Sequence, residues 1–319
     1  MYLLEADGSV IKPLSKSDSR SGLGYLLVLA ATVIWSWNFI VARYLAHSVP
    51  PVTLAFLRWL TAVLLLLPFA WSMLWRDRKL VVQHLPYLAA AGFLGVTMFN
   101  TLVYIAGHTT KAVHMALVAI SSPIFIVICA RIFLGEALTA RRILGVLTAT
   151  IGVLLLITHG DLAALLGLTF SVGDVWMLIA AVIFAGYSIL VRFKPVELNQ
   201  TVFLCSSFII GLVFMLPWLG WELSQHQTMI LSKDVIAAIL YLGVGPSVVS
   251  YYCWNGAIAT IGPARAAFVY YTLPLFSGIE ASLVLQEQIR WIHFASGLLI
   301  VAGIIVATRE TPDQSIPPD

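Results

Sequence analysis

The side chains in this sequence that could do chemistry are few, and most sit inside apolar runs. Trp37 and Asn38 share one such run, Asn100 and Tyr104 a second, Tyr187 and Ser188 a third, and Tyr251, Tyr252, Trp254 and Asn255 a fourth. Aromatic rings with polar tips, set beside carboxamides, suit a cavity that takes a small amphipathic solute. The same groups also serve as interhelical hydrogen bonds, worth about 0.6 kcal/mol each, and both readings are open. His114 and Arg265 stand 151 positions apart in equivalent contexts. Arginine can fork onto a carboxylate and histidine titrates near neutral pH, although both could equally snorkel at a membrane surface.

Glu280 is the least expected of these residues, a carboxylate well inside an apolar run. It either exchanges protons with a cavity or is neutralised by a neighbouring arginine. Tyr270 and Tyr271 precede Pro274 on the same run and join the candidate binding set. Glu136 and Glu287 each close a run and, with Pro123 and Pro274, read as structural or gating positions. Pro246 is a third interruption, tolerated where neighbours satisfy the freed carbonyls. Arg58 and Arg131 read as ion-paired or snorkelled structural residues.

Catalytic signatures are missing. The sequence has no His-Glu-x-x-His pair, no Gly-x-Ser-x-Gly elbow and no phosphate-binding glycine loop, so no enzyme, catalytic residue or cofactor is expected. Cys129, Cys205 and Cys253 have no pairing or metal-ligand spacing, so no metal site is expected. A net charge of +3 gives no case for nucleic acid.

These residues need elements to hold them. Sixty per cent of the chain is apolar and 10% charged, and the mean hydropathy is +0.95. A soluble domain could not cover its surface with so few charges, so an all-α, multi-pass membrane protein is expected, with the lipid bilayer as its surroundings. Ten apolar runs have the length that crosses about 30 Å of hydrocarbon. They begin at Tyr25, Val52, Leu85, Ala112 and Ile143, then at Val175, Thr201, Val235, Ala264 and Trp291. The stretches 1–21 and 310–319 read as polar tails, with no apolar signal segment in the first.

The chain repeats. Ser122-Pro123 leads to Leu134-Gly135-Glu136, and 151 residues later Leu273-Pro274 leads to Leu285-Gln286-Glu287, with the same spacing. At that offset Tyr104 falls on Asn255 and Gly152 on Gly303. Two five-helix repeats, 22–160 and 161–309, are therefore expected. Because five is odd, the second copy must be inverted, with Arg141 and Ile292 at opposite faces. With both termini cytoplasmic, twelve lysines and arginines fall inside and four outside, in accord with the positive-inside rule. Inverted repeats are a design of secondary transporters, whose substrate sits near the midplane where the repeats meet. A solute-sized hollow is expected there.

The residues above resemble the drug/metabolite transporter superfamily, and within it the ten-helix EamA-type exporters. The carriers of the resemblance are Trp35-Ser36-Trp37-Asn38-Phe39, Phe56-Leu57-Arg58-Trp59, Pro123 to Glu136, Tyr252-Cys253-Trp254-Asn255, Gly262-Pro263-Ala264-Arg265-Ala266, and Pro274 to Glu287. Ser36 and Gln286 depart from the usual pattern. The resemblance implies export or exchange of an amino acid, amine or related metabolite; a bacterial-type inner membrane is expected, with protons as a candidate partner. A passive channel or a lipid flippase is the alternative, and the oligomeric state is left open.

Overall fold

In a bilayer core no water is available to the backbone, so every N–H and C=O must be paired within the protein, and apolar runs of this length fold as helices. The computed structural model of the chain describes residues 16–110, 112–158, 160–161, 171–225, 229–285 and 291–308. Among these residues all regular elements are helical. Among the described residues nine stretches are long and apolar enough to cross a membrane. The tenth expected crossing is divided in two by a turn.

The first half comprises α1 (Lys16–Leu45), α2 (Pro51–Arg76), α3 (Arg78–Gln83), α4 (Leu85–Gly92), a π-helical segment (Phe93–Met98), α5 (Phe99–Thr109), α6 (Ala112–Ala119), α7 (Ser121–Leu134) and α8 (Ala140–Ile157). The second comprises α9 (Val172–Arg192), α10 (Gln200–Ser224), α11 (Lys233–Leu242), a second π-helical segment (Gly243–Val249), α12 (Ser250–Ile261), α13 (Pro263–Tyr270), α14 (Leu273–Leu285) and α15 (Trp291–Thr308).

The irregularities repeat as the sequence does. Shifting Phe93–Met98 by 151 positions lands it on the second π-helical segment. The break between α6 and α7 at Ile120 falls in the same way on Tyr271, in the turn between α13 and α14. Prolines follow both breaks, and a proline can neither donate to the preceding turn nor let its predecessor settle easily into the helix.

The two halves run in opposite senses. A Cβ on Gly145 would meet Ala307 and the Gly303 carbonyl, and one on Gly152 would meet Ile300 and the Ser296 carbonyl. α8 and α15 are therefore antiparallel, and their glycines let the backbones approach closely. Arg141 lies at the end of the bundle that carries Ala307, whereas Ile292 packs near Gly160 at the other. We call the end holding residues 46–50 and 229–232 the upper end, where Ile230 N donates to Ser48 O at 2.9 Å. The end holding residue 262 and Glu136 is the lower end.

Candidate functional site

The centre of the bundle is organised by carbonyls that the π-helical segments release. Pro246 has no N–H, so the carbonyl of Leu242 lacks its α-helical partner, and the Ser247 hydroxyl donates to it at 2.9 Å. The Pro246 carbonyl itself accepts from Trp35 Nε1 at 2.9 Å and from Arg58 Nη2 at 3.0 Å. Its equivalent in the first half is the carbonyl of Gly95. That oxygen accepts from the Tyr251 hydroxyl at 2.5 Å and from Asn100 Nδ2 at 3.1 Å. Each repeat thus offers a carbonyl to side chains of the other. Asn100 and Tyr251, themselves 151 positions apart, touch at 3.1 Å, as residues on a pseudo-two-fold axis must.

Arg58 stands beside this axis with no solvent exposure. Its Nε donates to Ser247 Oγ, Nη1 to Asn38 Oδ1 at 3.2 Å and Tyr104 OH at 2.9 Å, and Nη2 to the Pro246 carbonyl. All four acceptors are neutral, and no carboxylate pairs with it among the described residues. A guanidinium has five N–H donors, so one on Nη2 is left over. Burying a cation costs several kcal/mol unless an anion answers it. The expectation that Arg58 is ion-paired or snorkelled is corrected here, because it is a central, neutrally partnered cation.

A small cavity opens at this cation, lined by Trp35, Asn38, Arg58, Phe99, Asn100, Val103, Phe184 and Tyr270. Its room is about 10 Å³, the space of a single water. Among the described residues this central cavity is smaller than the solute-sized hollow expected from sequence. Rings fill it: Trp35 packs against Phe184, Tyr251, Trp254 and Tyr270 with centroids 5.4–6.1 Å apart. A second, apolar cavity lies where the two broken helices cross, between Ala119, Ile120 and Pro123 on one side and Tyr270, Tyr271, Leu273 and Pro274 on the other.

Of the residues singled out from sequence, Asn38, Asn100, Tyr104, Tyr251 and Tyr270 gather around this centre. Tyr187 and Asn255 bond each other at 3.0 Å one layer away, and Trp254 Nε1 donates to Ser188 Oγ at 3.2 Å. Trp37 is half-buried and lines neither cavity. Its place is taken by Trp35, one helical turn before Asn38 and so on the same face. Tyr271 lines the apolar cavity and accepts from Thr150 Oγ1 at 3.4 Å. His114 is remote from the centre, at the upper end, with Nδ1 3.3 Å from Asp174 Oδ2. Arg265 is half-buried at the start of α13, at the lower end. Glu136 ion-pairs with Arg142 at 2.9 Å near the lower surface, a contact worth at most about 1 kcal/mol. Glu287 lies outside the described residues. Glu280 is buried, and its Oε1 accepts from Ser36 Oγ.

Two further carboxylates escaped the sequence reading. Asp174 accepts from Thr110 Oγ1 at 2.6 Å and from Ser171 N at 2.7 Å. Glu222 accepts from the backbone N–H groups of Val52 and Thr53 at 2.9 and 2.7 Å, so a residue of α10 caps α2 across the two halves. Both tie the repeats together at the upper end. Asp174 had a local signal, Ser171 three residues before it at a helix start. Glu222 had none, because its partners are about 170 residues away in the chain.

Comparison with known proteins agrees with this architecture. The sequence profile of the EamA-like transporter family matches residues 22–158 and again 171–309. An "Uncharacterized transporter" of Archaeoglobus fulgidus is 26% identical over 90% of this chain and 97% of its own. A "Probable terminal-alkyne amino-acid exporter" of Streptantibioticus cattleyicolor is 26% identical over 73% of this chain and 76% of its own. A "Probable amino-acid metabolite efflux pump" of Escherichia coli is 23% identical over 88% and 93%. A solved crystal structure shares the fold, with a TM-score of 0.73 over 89% of this chain and 96% of that one at 20% identity.

Proposed function

The chain belongs to the EamA-like transporter family, and on that premise we propose a secondary carrier for a small carboxylate-bearing metabolite, an amino acid or a related compound, moved outward by alternating access. The observation that carries this reading is Arg58. It is a fully buried guanidinium whose partners are all neutral, with an N–H to spare, beside a cavity on the axis relating the repeats. An α-carboxylate entering the cavity would supply the missing anion, and a bidentate fork would orient it. The aromatic rings of Trp35, Phe184 and Tyr270 would receive the apolar part of the solute.

The room of a single water fits an occluded conformation. Opening toward either end requires the halves to rock about the axis, and the packings that open to the two ends are related by the repeat, which keeps them close in energy. The names of two relatives, an amino-acid exporter and an amino-acid metabolite efflux pump, support the substrate class and the outward direction. The charge bias supports an inner membrane with both termini cytoplasmic.

Counterflow tests the reading. Proteoliposomes preloaded with unlabelled proteinogenic amino acids and exposed to a trace of the isotope-labelled mixture should accumulate label transiently for the solutes carried. A pore would give uptake that preloading does not accelerate. Movement of labelled lipid without amino-acid exchange would replace the carrier with a flippase.

A further inference from the structure

α14 meets α1 at a polar joint distinct from the central cavity. Glu280 is 6% exposed on α14, and no ion pair reaches it among the described residues. Its Oε1 faces Ser36 Oγ, and its Oε2 has no hydrogen-bond partner among the described residues. The Ser277 hydroxyl, one turn earlier on α14, donates to the Ser36 carbonyl at 3.3 Å. Ser36 Oγ also lies 2.6 Å from the carbonyl of Val33. A serine hydroxyl has one hydrogen, so it can satisfy the glutamate or the carbonyl, not both.

That single hydrogen gives the joint two well-defined arrangements. When Glu280 is ionised, Ser36 donates to Oε1. When Glu280 carries a proton there, the carboxylic acid donates to Ser36 Oγ, and Ser36 turns its own hydrogen to Val33. An ionised carboxylate buried without a cation is costly, so a proton is the simplest ligand that relieves it. Ser36 follows Trp35 and lies two residues before Asn38, which line the central cavity. α14 also follows the break after Tyr270, another lining residue. The other ionisable groups around the joint are Tyr241 of α11, which donates to Ile34 O at 2.9 Å and interacts electrostatically with both Glu280 and Arg58, and Arg58 itself on α2. From α15 the nearest in level is His293, one turn before the contact of Gly297 with Leu275. The α8 side brings none, its Arg141 and Arg142 lying at the lower end.

We propose that Glu280 is a proton-binding site, taking up and releasing one proton as the carrier cycles, and that the reversal of its hydrogen bond with Ser36 passes this change to the cavity face of α1. The coupling rests on the carrier reading, whereas the proton site does not.

Two measurements on the full-length chain separate the claims. Infrared difference spectra of the purified protein, recorded across pH without any solute, should contain the C=O stretch of a titrating carboxylic acid that is lost in Glu280→Gln. In Ser36→Ala the midpoint of that band should move up by about one pH unit, because a hydrogen bond that favours the charged form is gone. In proteoliposomes loaded with the amino-acid mixture, Glu280→Gln should retain counterflow and lose accumulation driven by an imposed pH gradient. A carboxyl band unchanged in Glu280→Gln overturns the site, as does an unmoved midpoint in Ser36→Ala should the glutamine variant not fold. Gradient-driven accumulation equal to wild type in Glu280→Gln overturns the coupling. A band that titrates and vanishes as expected, in a protein that exchanges none of the amino acids, upholds the proton site and removes the substrate reading.

Discussion

Arg58 is a residue whose meaning depends on a neighbourhood the chain assembles from afar. In the sequence it is one charge in an apolar run, and the ordinary reading of such a charge is snorkelling or an ion pair. In the fold its acceptors come from Asn38, Tyr104, Pro246 and Ser247, on three separate elements, and none is charged. Lysine keeps the charge but has neither the planar fork nor five donors. Arg58→Lys should therefore fold, with a melting temperature lowered by only a few degrees, and should exchange amino acids about tenfold more slowly or worse, the equivalent of roughly 1.4 kcal/mol. Counterflow at the wild-type rate would take Arg58 out of contact with the solute. Trp35, and not Trp37, reaches the cavity for a local reason. Both are plausible from type alone, and only the three-residue step from Asn38 selects the face.

Elements in this protein are defined as much by their interruptions as by their helical runs. The π-helical segments and the breaks at Ile120 and Tyr271 recur at the repeat offset, and they place freed carbonyls and short helix ends around the axis. Pro246, Pro123 and Pro274 signal part of this in the sequence. The segment Phe93–Met98 contains no proline, and its irregularity is legible only through its partner half. Tight packing holds the flanking elements. A Cβ on Gly303 would sit 2.6 Å from both Ala149 N and the Gly145 carbonyl, backbone atoms that cannot swing aside. Gly303→Val should cost about 2 kcal/mol or more, measured as a fall in the thermal unfolding midpoint. Gly278→Ala is the control: nothing lies within 4 Å of its added carbon, so stability should hold or rise slightly. Equal melting of both variants would show that the α8–α15 contact contributes little.

For the whole molecule, inversion makes a prediction that no single residue can. Arg141 lies in the first turn of α8 and Trp291 begins α15, equivalent helices that run antiparallel. In a background with Cys129, Cys205 and Cys253 replaced by alanine, a cysteine at 291 should react with a membrane-impermeant maleimide in intact cells. A cysteine at 141 should react only in inverted vesicles. Labelling of both from one side would contradict the inverted arrangement. The sequence by itself determined the helical class, the repeat and the opposed sense of the two halves, because hydropathy over a bilayer's thickness and the parity of five crossings are properties of the chain in order. It also marked most of the polar residues that meet at the axis. The tertiary structure alone decided that the partners of Arg58 among the described residues are all neutral, that Glu222 caps a helix of the other half, and that Glu280 faces Ser36. Each of these is a contact between residues far apart in the chain, and burial turns such a contact from a weak surface preference into a requirement that a partner be present.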